Sequence, residues 1–403
     1  MRLFKSLSQT SFAFLWGGQT LSRLGDSIYK VSLAWWVLEK TGSAAAMGRV
    51  LIFTIAPTIL FILIGGVTGD RFSRVRLMLF SDVVRGMVLF IVTILGFRHQ
   101  LEIWHVYVAS ALIGFVSAFF QPAYSAILPE IVPSESLPSA NSLTSLSKQL
   151  ADILGPTLGA TLVGFGGTTV AFAANGISFF ASAIFLLPLL GMKVSDRVSA
   201  RRQSPLVDFR EGITRVLSNS WLCISIAIFA IANITLTAPV SVALPFYIKE
   251  GLHADVRLLG ISYSMIAVGS LATTVWLGRG LPKHRRGIYL YITVVALGLM
   301  TIGLGFSRSA VAISLVILII GALLPIFGLI WVNVLQELVP RDLLGRVSSI
   351  DYLGSALLLP IGYGLAGWGS NAIGAQLVFL VGGGCTMCLG LLALTHPAIR
   401  NLD

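Results

Sequence analysis

Met47-Gly-Arg49-Val-Leu-Ile-Phe-Thr-Ile-Ala-Pro-Thr-Ile-Leu-Phe-Ile-Leu-Ile-Gly65-Gly66-Val-Thr-Gly69-Asp70-Arg71-Phe-Ser-Arg74-Val-Arg76 is the stretch that decides the fold. After Arg49 it runs uncharged to Gly69, long enough to cross the hydrocarbon of a bilayer as a helix, which takes roughly 20 residues. It then crowds Arg71, Arg74 and Arg76 into one short turn. The same alternation of apolar run and basic turn continues to the end of the chain. Of its 403 residues 56% are hydrophobic and only 11% charged, and its mean hydropathy is +0.88. So much apolar surface cannot be hidden inside a water-soluble fold.

Runs broken by Gly, Pro or clustered charge give twelve expected spans, at 12–38, 47–69, 77–97, 103–128, 140–166, 168–190, 221–248, 256–277, 287–306, 310–334, 347–369 and 371–394. They are continuously apolar, where barrel strands alternate over about ten residues, so helices are expected. The net charge of +11 could suggest nucleic acid, but the placement of the basic residues excludes that partner. With the N-terminus inside, 18 of the 28 Lys and Arg fall on inside segments and 6 on outside ones. That bias is the positive-inside rule, and it sets both termini in the cytoplasm of a multi-pass inner-membrane protein.

The chain also repeats itself. Leu128-Pro-Glu130-Ile-Val-Pro133 returns as Leu335-Gln-Glu337-Leu-Val-Pro340. Two pseudo-symmetric six-helix bundles are therefore expected, over residues 1–190 and 221–403. Between them a basic linker, 191–220, places Leu206, Phe209, Ile213 and Leu217 at helical spacing, as in an amphipathic helix on the membrane surface. Repeated halves suit a transporter whose bundles rock about a central site.

The turn after the second span, Gly66-Val-Thr-Gly69-Asp70-Arg71-Phe-Ser73-Arg74-Val75-Arg76, resembles the signature loop of the major facilitator superfamily, with Ser73 in place of its second Gly. Physically it suits a cytoplasmic latch. Gly66 would let helices approach, Asp70 and Arg71 carry charge, and Arg74 can pair with Glu130. The counterpart in the second half keeps Arg286, whose expected partner is Glu337. If these charges have no latch role, they fix topology alone. Leu24-Gly25-Asp26, Phe120-Gln121-Pro122, Ala140-Asn-Ser-Leu143 and Gly155-Pro156-Thr-Leu-Gly159 are similar to the branch that holds macrolide efflux proteins and the enterobactin exporter. That resemblance implies export, because a Gly-Pro pair in the fifth helix accompanies exporters in the superfamily. Pro156 removes a helical hydrogen bond and is expected to kink the helix, while Gly155 and Gly159 allow close packing. A plain packing kink is the alternative.

Ionisable side chains inside a span are costly and mark function. Arg23, Asp26 and Lys30 share one face of the first helix, as do Lys148 and Asp152 in the fifth. They are the candidates for proton coupling, with Asp26 first; fixed ion pairs within each helix are the competing reading. Asp82 and Arg85 are expected to extend the latch, and Asp351 to sit wet at a helix start. The resemblance implies a cavity lined by helices one, four, seven and ten, so Gln19, Tyr29, Phe119, Gln121, Asn233, Trp331, Asn333 and Gln336 are substrate-cavity candidates.

Other motifs fail on context. Gly362-Tyr-Gly364-Leu-Ala-Gly367 has a dinucleotide spacing but lies within a span, as does Cys385-Thr-Met-Cys388. No metal, cofactor or catalytic residue is expected. The reading is a monomeric, proton-coupled exporter of a small amphipathic compound. Its rivals are an importer or lipid flippase on the same fold, and a membrane sensor or enzyme.

Overall fold

A computed structural model describes residues 4–191, 212–278, 284–400 and 402. It is built from helices α1 (Thr10–Thr41), α2 (Ala44–Arg71), α3 (Arg74–Phe97), α4 (Ile103–Ile131), α5 (Leu137–Leu186), α6 (Ser220–Gly251), α7 (Val256–Leu277), α8 (Arg286–Phe306), α9 (Ala310–Leu338), α10 (Arg341–Leu357), α11 (Leu359–Ile373) and α12 (Ala375–Thr395). Helices satisfy their own backbone groups, which is what lipid requires. The chain is an all-helical, multi-pass membrane protein of the expected class.

Among the described residues nine helices are long and apolar enough to cross a membrane. Three features separate that number from the twelve expected runs. Arg23, Asp26 and Lys30 interrupt α1. The runs 140–166 and 168–190 join into α5, whose backbone leaves the helical region only at Gly167 (φ 75°, ψ 172°). The run 347–369 divides at Leu358 into α10 and α11, each too short to span alone.

Left-handed glycines mark other reversals. Gly42 (φ 60°) ends α1, its N–H donating to the Leu38 carbonyl. Gly374 (φ 88°) separates α11 from α12, so Asn371 closes α11 and does not open the last helix, and the turn falls later than expected. The backbone torsions stay in the helical region through Pro156, so α5 runs on past the missing N–H. Of the linker, Leu206 and Phe209 lie outside the described residues. Residues 212–217 are helical, with Gly212 and Val216 buried, Ile213 half-buried and Leu217 exposed.

Packing sorts the chain into two compact units. Unit 1 comprises Met1–Gly42, Arg49–Val198 and Asp255–Ser264; unit 2 comprises Ser43–Gly48, Ser199–Ala254 and Met265–Asp403. Lipid tails are as apolar as leucine, so helices associate through small residues that bring backbones close and through internal polar bonds. In unit 2, α8 and α12 meet at two facing glycines. A Cβ on Gly298 would lie 2.7 Å from the Gly383 carbonyl oxygen, and one on Gly383 would lie 2.6 Å from that of Gly298. In unit 1, Gly155 and Gly159 of α5 press on Ser27 and Ile28 of α1, while the Pro156 carbonyl faces Gly260 of α7.

A side chain at either facing glycine must push two backbones apart. Gly383→Val is expected to lower stability by about 2 kcal/mol, as overpacking does, read as a fall in the thermal unfolding midpoint of purified protein. Gly384→Val, beside it in open space, is the control and leaves the midpoint in place.

Candidate functional site

In unit 1 the crossing of α1 with α5 sets the polar geometry. Asp26 stands at the middle of the 32-residue α1, and its carboxylate accepts from Asn175 Nδ2 on α5 at 3.5 Å. Ser27, the next residue, donates to Asp152 Oδ1 at 3.4 Å. The three charges of α1 do not pair with one another. Arg23 donates to the Thr144 carbonyl at 3.1 Å and lies over the Tyr124 ring, and Lys30 lies 4.8 Å from the centroid of the Tyr263 ring. Among the described residues no ion pair joins Asp26 to Arg23 or Lys30, nor Asp152 to Lys148, so each acid is free of the fixed intrahelical pairing that helical spacing allowed.

Behind Asp26 lies a buried cluster with a different place from the one expected. Asp82 has no exposed surface; its Oδ2 accepts from Ser182 at 2.7 Å, and Ser182 in turn accepts from Gln19 at 3.1 Å. Arg85 donates to Ser117 at 2.8 Å, lies against the rings of Phe120 and Phe179, and is within electrostatic reach of both Asp26 and Asp82. Asp82 and Arg85 therefore belong to the interior of unit 1 and not to the latch. The Oδ1 of Asp82 and the Nε of Arg85 have no hydrogen-bond partner. Gln19, expected to face a cavity, is 4% exposed and committed to this cluster.

The latch residues come together in part. Arg74, first residue of α3, is ion-paired with Glu130 near the end of α4 and also donates to the Ala126 carbonyl at 3.1 Å. The same bond recurs in unit 2, where Arg286, first residue of α8, meets Glu337 of α9 at 2.6 Å. The side chains of Asp70 and Arg71 lie outside the described residues. Gly66 has open space beside it; the close approach of α2 to α4 is made by Gly65 instead, against the Ala118 carbonyl.

Unit 2 encloses a cavity of about 260 Å³. Phe229, Phe327 and Trp331 supply aromatic faces, and Asn233, Thr237 and Asp351 supply polar groups. Asp351 is not at the wet start of a helix. It lies well inside α10, with one carboxylate oxygen accepting from Trp331 Nε1 at 2.9 Å and the other without a partner. Asn233 donates to the Ser355 carbonyl at 2.9 Å and accepts from Thr237 at 3.0 Å.

Asn233 and Trp331 are thus the cavity candidates that line this space. Tyr29 packs on Phe172, and Phe119 on Phe115. Gln121 and Gln336 are exposed, Asn333 is half-buried, and none of these three lines the cavity. Sequence reasoning named Asp351 and Asp82 but placed both near the surface; an acid within an apolar run was the available signal for their depth.

A family model described as the Major Facilitator Superfamily matches residues 15–362. Macrolide efflux protein A of Streptococcus pyogenes is 23% identical over 394 residues, covering 97% of each chain. Multidrug efflux pump Tap of Mycobacterium tuberculosis is 26% identical over 394 residues, covering 95% of this chain and 92% of its own. Among solved structures, a bacterial homologue of the iron transporter ferroportin superposes with a TM-score of 0.75 at 15% identity, over 96% of this chain and 98% of that one. A peptide transporter POT does so with 0.77 at 14%, over 98% and 96%. At such identities the structures show the fold alone.

Removing one partner from a buried charge cluster strands the other. Arg85→Ala is expected to destabilise the protein by about 3 kcal/mol, and Arg85→Ala combined with Asp82→Asn to regain most of the loss, measured by thermal unfolding. Equal loss in the single and double variants would refute the coupling.

Proposed function

The chain belongs to the major facilitator superfamily, and from that premise we propose that it is a secondary active exporter which moves a small amphipathic compound outward in exchange for protons. It is a transporter and not an enzyme, as its family and relatives are. The proposed arrangement has twelve crossings in two six-helix bundles, both termini in the cytoplasm of the inner membrane, and a monomer as the working form.

The observation that carries the reading is Asp26. It is a carboxylate at the middle of a 32-residue helix, accessible, held by one amide and tied into no ion pair. Charged groups at such depth are kept where they work. The proton affinity of a carboxyl group is set by the balance between apolar surroundings and nearby charge. A movement of α1 against α3 and α5 changes that balance and so turns proton binding into a conformational signal. Asp152, one bond away through Ser27, is the secondary proton site, with Lys30 and Lys148 as the cations that bias it.

Support for the outward direction comes from full-length likeness to two proteins named for efflux, and from the Gly155-Pro156-Gly159 stretch, which holds α5 tightly between α1 and α7. The Arg74–Glu130 and Arg286–Glu337 pairs serve as matched cytoplasmic latches, holding the start of one helix to the end of the next in each bundle. Alternating access requires such contacts to form and release.

In proteoliposomes with an imposed pH gradient, wild-type protein is expected to move an amphipathic dye out of the side corresponding to the cytoplasm. Asp26→Asn, well expressed and folded, is expected to lose proton-driven movement by at least about tenfold, since one charge is worth at least one pH-linked step. Full coupling in Asp26→Asn overturns the proton assignment, and movement in the opposite direction overturns export. Arg74→Glu is expected to cut transport severalfold and Arg74→Glu with Glu130→Arg to restore part of it; a double variant no better than the single removes the latch role.

A further inference from the structure

We propose that the cavity of unit 2 is a binding site for a protonated amine, with Asp351 as the anchoring carboxylate and Phe229, Phe327 and Trp331 as the aromatic wall. As a statement about cargo this rests on the exporter reading; as a statement about binding it stands on the geometry. Asp351 is the one ionisable residue among the described residues that line the cavity, so the space has no cation of its own. The carboxylate is half-used. Trp331 Nε1 holds one oxygen at 2.9 Å and fixes its orientation, while the second oxygen has no donor. A carboxylate oxygen withdrawn from water without a donor is costly, and an ammonium group supplies both the hydrogen bond and the opposite charge.

The walls suit the same ligand. The Phe229 ring stands edge-on to Phe327 at 4.5 Å and to Trp331 at 4.8 Å between centroids, making an aromatic corner beside the acid. Ring faces attract cations, and indole does so best. Apolar Leu236 and Leu297 complete the space, and Asn233 and Thr237 are held in place by their own bond. At about 260 Å³ the cavity falls just under the roughly 300–1,000 Å³ usual for whole drug-sized ligands. It is sized for the amine-bearing end of a molecule, the remainder staying outside. The proton-coupling residues proposed above all lie in unit 1, so cargo binding at Asp351 uses a different acid from the one that carries the proton.

The test uses full-length purified protein in detergent, with dansylcadaverine, a fluorescent primary amine, and its neutral N-acetyl derivative as probes. Wild-type protein is expected to bind the amine about tenfold more tightly than the N-acetyl form, the worth of one charge-assisted bond. Asp351→Asn keeps the shape and the acceptor for Trp331; it is expected to erase that preference while binding the N-acetyl probe as wild type does, which also shows that the variant is folded. Phe327→Leu is expected to lower amine affinity severalfold while a smaller preference for the amine persists. Equal wild-type affinity for both probes, or an Asp351→Asn variant that keeps the preference, overturns the site. Proteoliposome transport of the same probes separates the two readings. Asp351-dependent binding without movement of either probe supports the site and overturns the exporter; movement of the amine at the wild-type rate by Asp351→Asn supports the exporter and overturns the site.

Discussion

The fold depends on one contact, the seating of α1 against both legs of α5. A bilayer offers neither water to satisfy stray polar groups nor a hydrophobic drive between helices, so the bundle has to be held by close backbone approach and internal polar bonds. Gly18 and Gly25 of α1 leave room for Ser182 and Ser178 beyond the Gly167 break, and Gly155 and Gly159 before the break leave room for Ser27 and Ile28. A single helix is thereby pinned along its length. The same seating puts Gln19 beside Ser182, Asp26 beside Asn175 and Ser27 beside Asp152. Packing glycines and in-span acids are consecutive features of one seam, which is why a change in how α1 lies must be felt by the charges on it.

The two units have one ion pair of the same kind and otherwise differ in how they handle charge. Each has an arginine at the first position of one helix bonded to a glutamate near the end of the next, Arg74 to Glu130 and Arg286 to Glu337. Beyond that the likeness stops. Unit 1 buries Asp82 together with Arg85, whose guanidinium also rests on two phenylalanine rings. Unit 2 places Asp351 against an indole N–H and aromatic faces in a cavity lined by no cation among the described residues. An acid sharing its surroundings with a fixed cation can exchange a proton at moderate cost, whereas one without a cation is suited to a cationic partner from outside. The two units thus have different electrostatic interiors.

Much of this was legible in the chain. Apolar runs and the one-sided placement of Arg and Lys gave the class and the order of the helices, and the Glu130/Glu337 repeat led directly to two ion pairs that the structure contains. Depth was harder to read. Asp351 looked wet because its helix was expected to open at Val347, but α10 begins at Arg341, which carries the acid about 15 Å into the helix at 1.5 Å per residue. Asp82 looked like part of the latch because it follows Arg74 and Arg76, yet at two helical turns from Arg74 it faces α5, not the turn. Helical spacing likewise brought Arg23, Asp26 and Lys30 to one face but could not show that each reaches for a different partner. Spacing reports which side chains are neighbours on one helix; the partners that satisfy them come from other helices.

The least legible element is the second part of α6. From Asn233 to Gly251 its backbone runs largely in wide i→i+5 turns, as Asn233–Thr237, Pro239–Ala243 and Tyr247–Gly251. Such turns are rare and gather at functional sites, since they release the tight i→i+4 ladder and re-aim side chains. Here Pro239 and Pro245 each lack an N–H, so neither can close the ladder it interrupts. The widened turn that opens at Asn233 carries Asn233 and Thr237 on the cavity wall, bonded to each other, while Thr235 between them bonds Thr386 of α12. A regular helix through the same residues would alter that register and move Asn233 away from the Ser355 carbonyl that now holds it. The widened stretch of α6 is therefore what gives the cavity its polar side, beside the indole and carboxylate that α9 and α10 contribute.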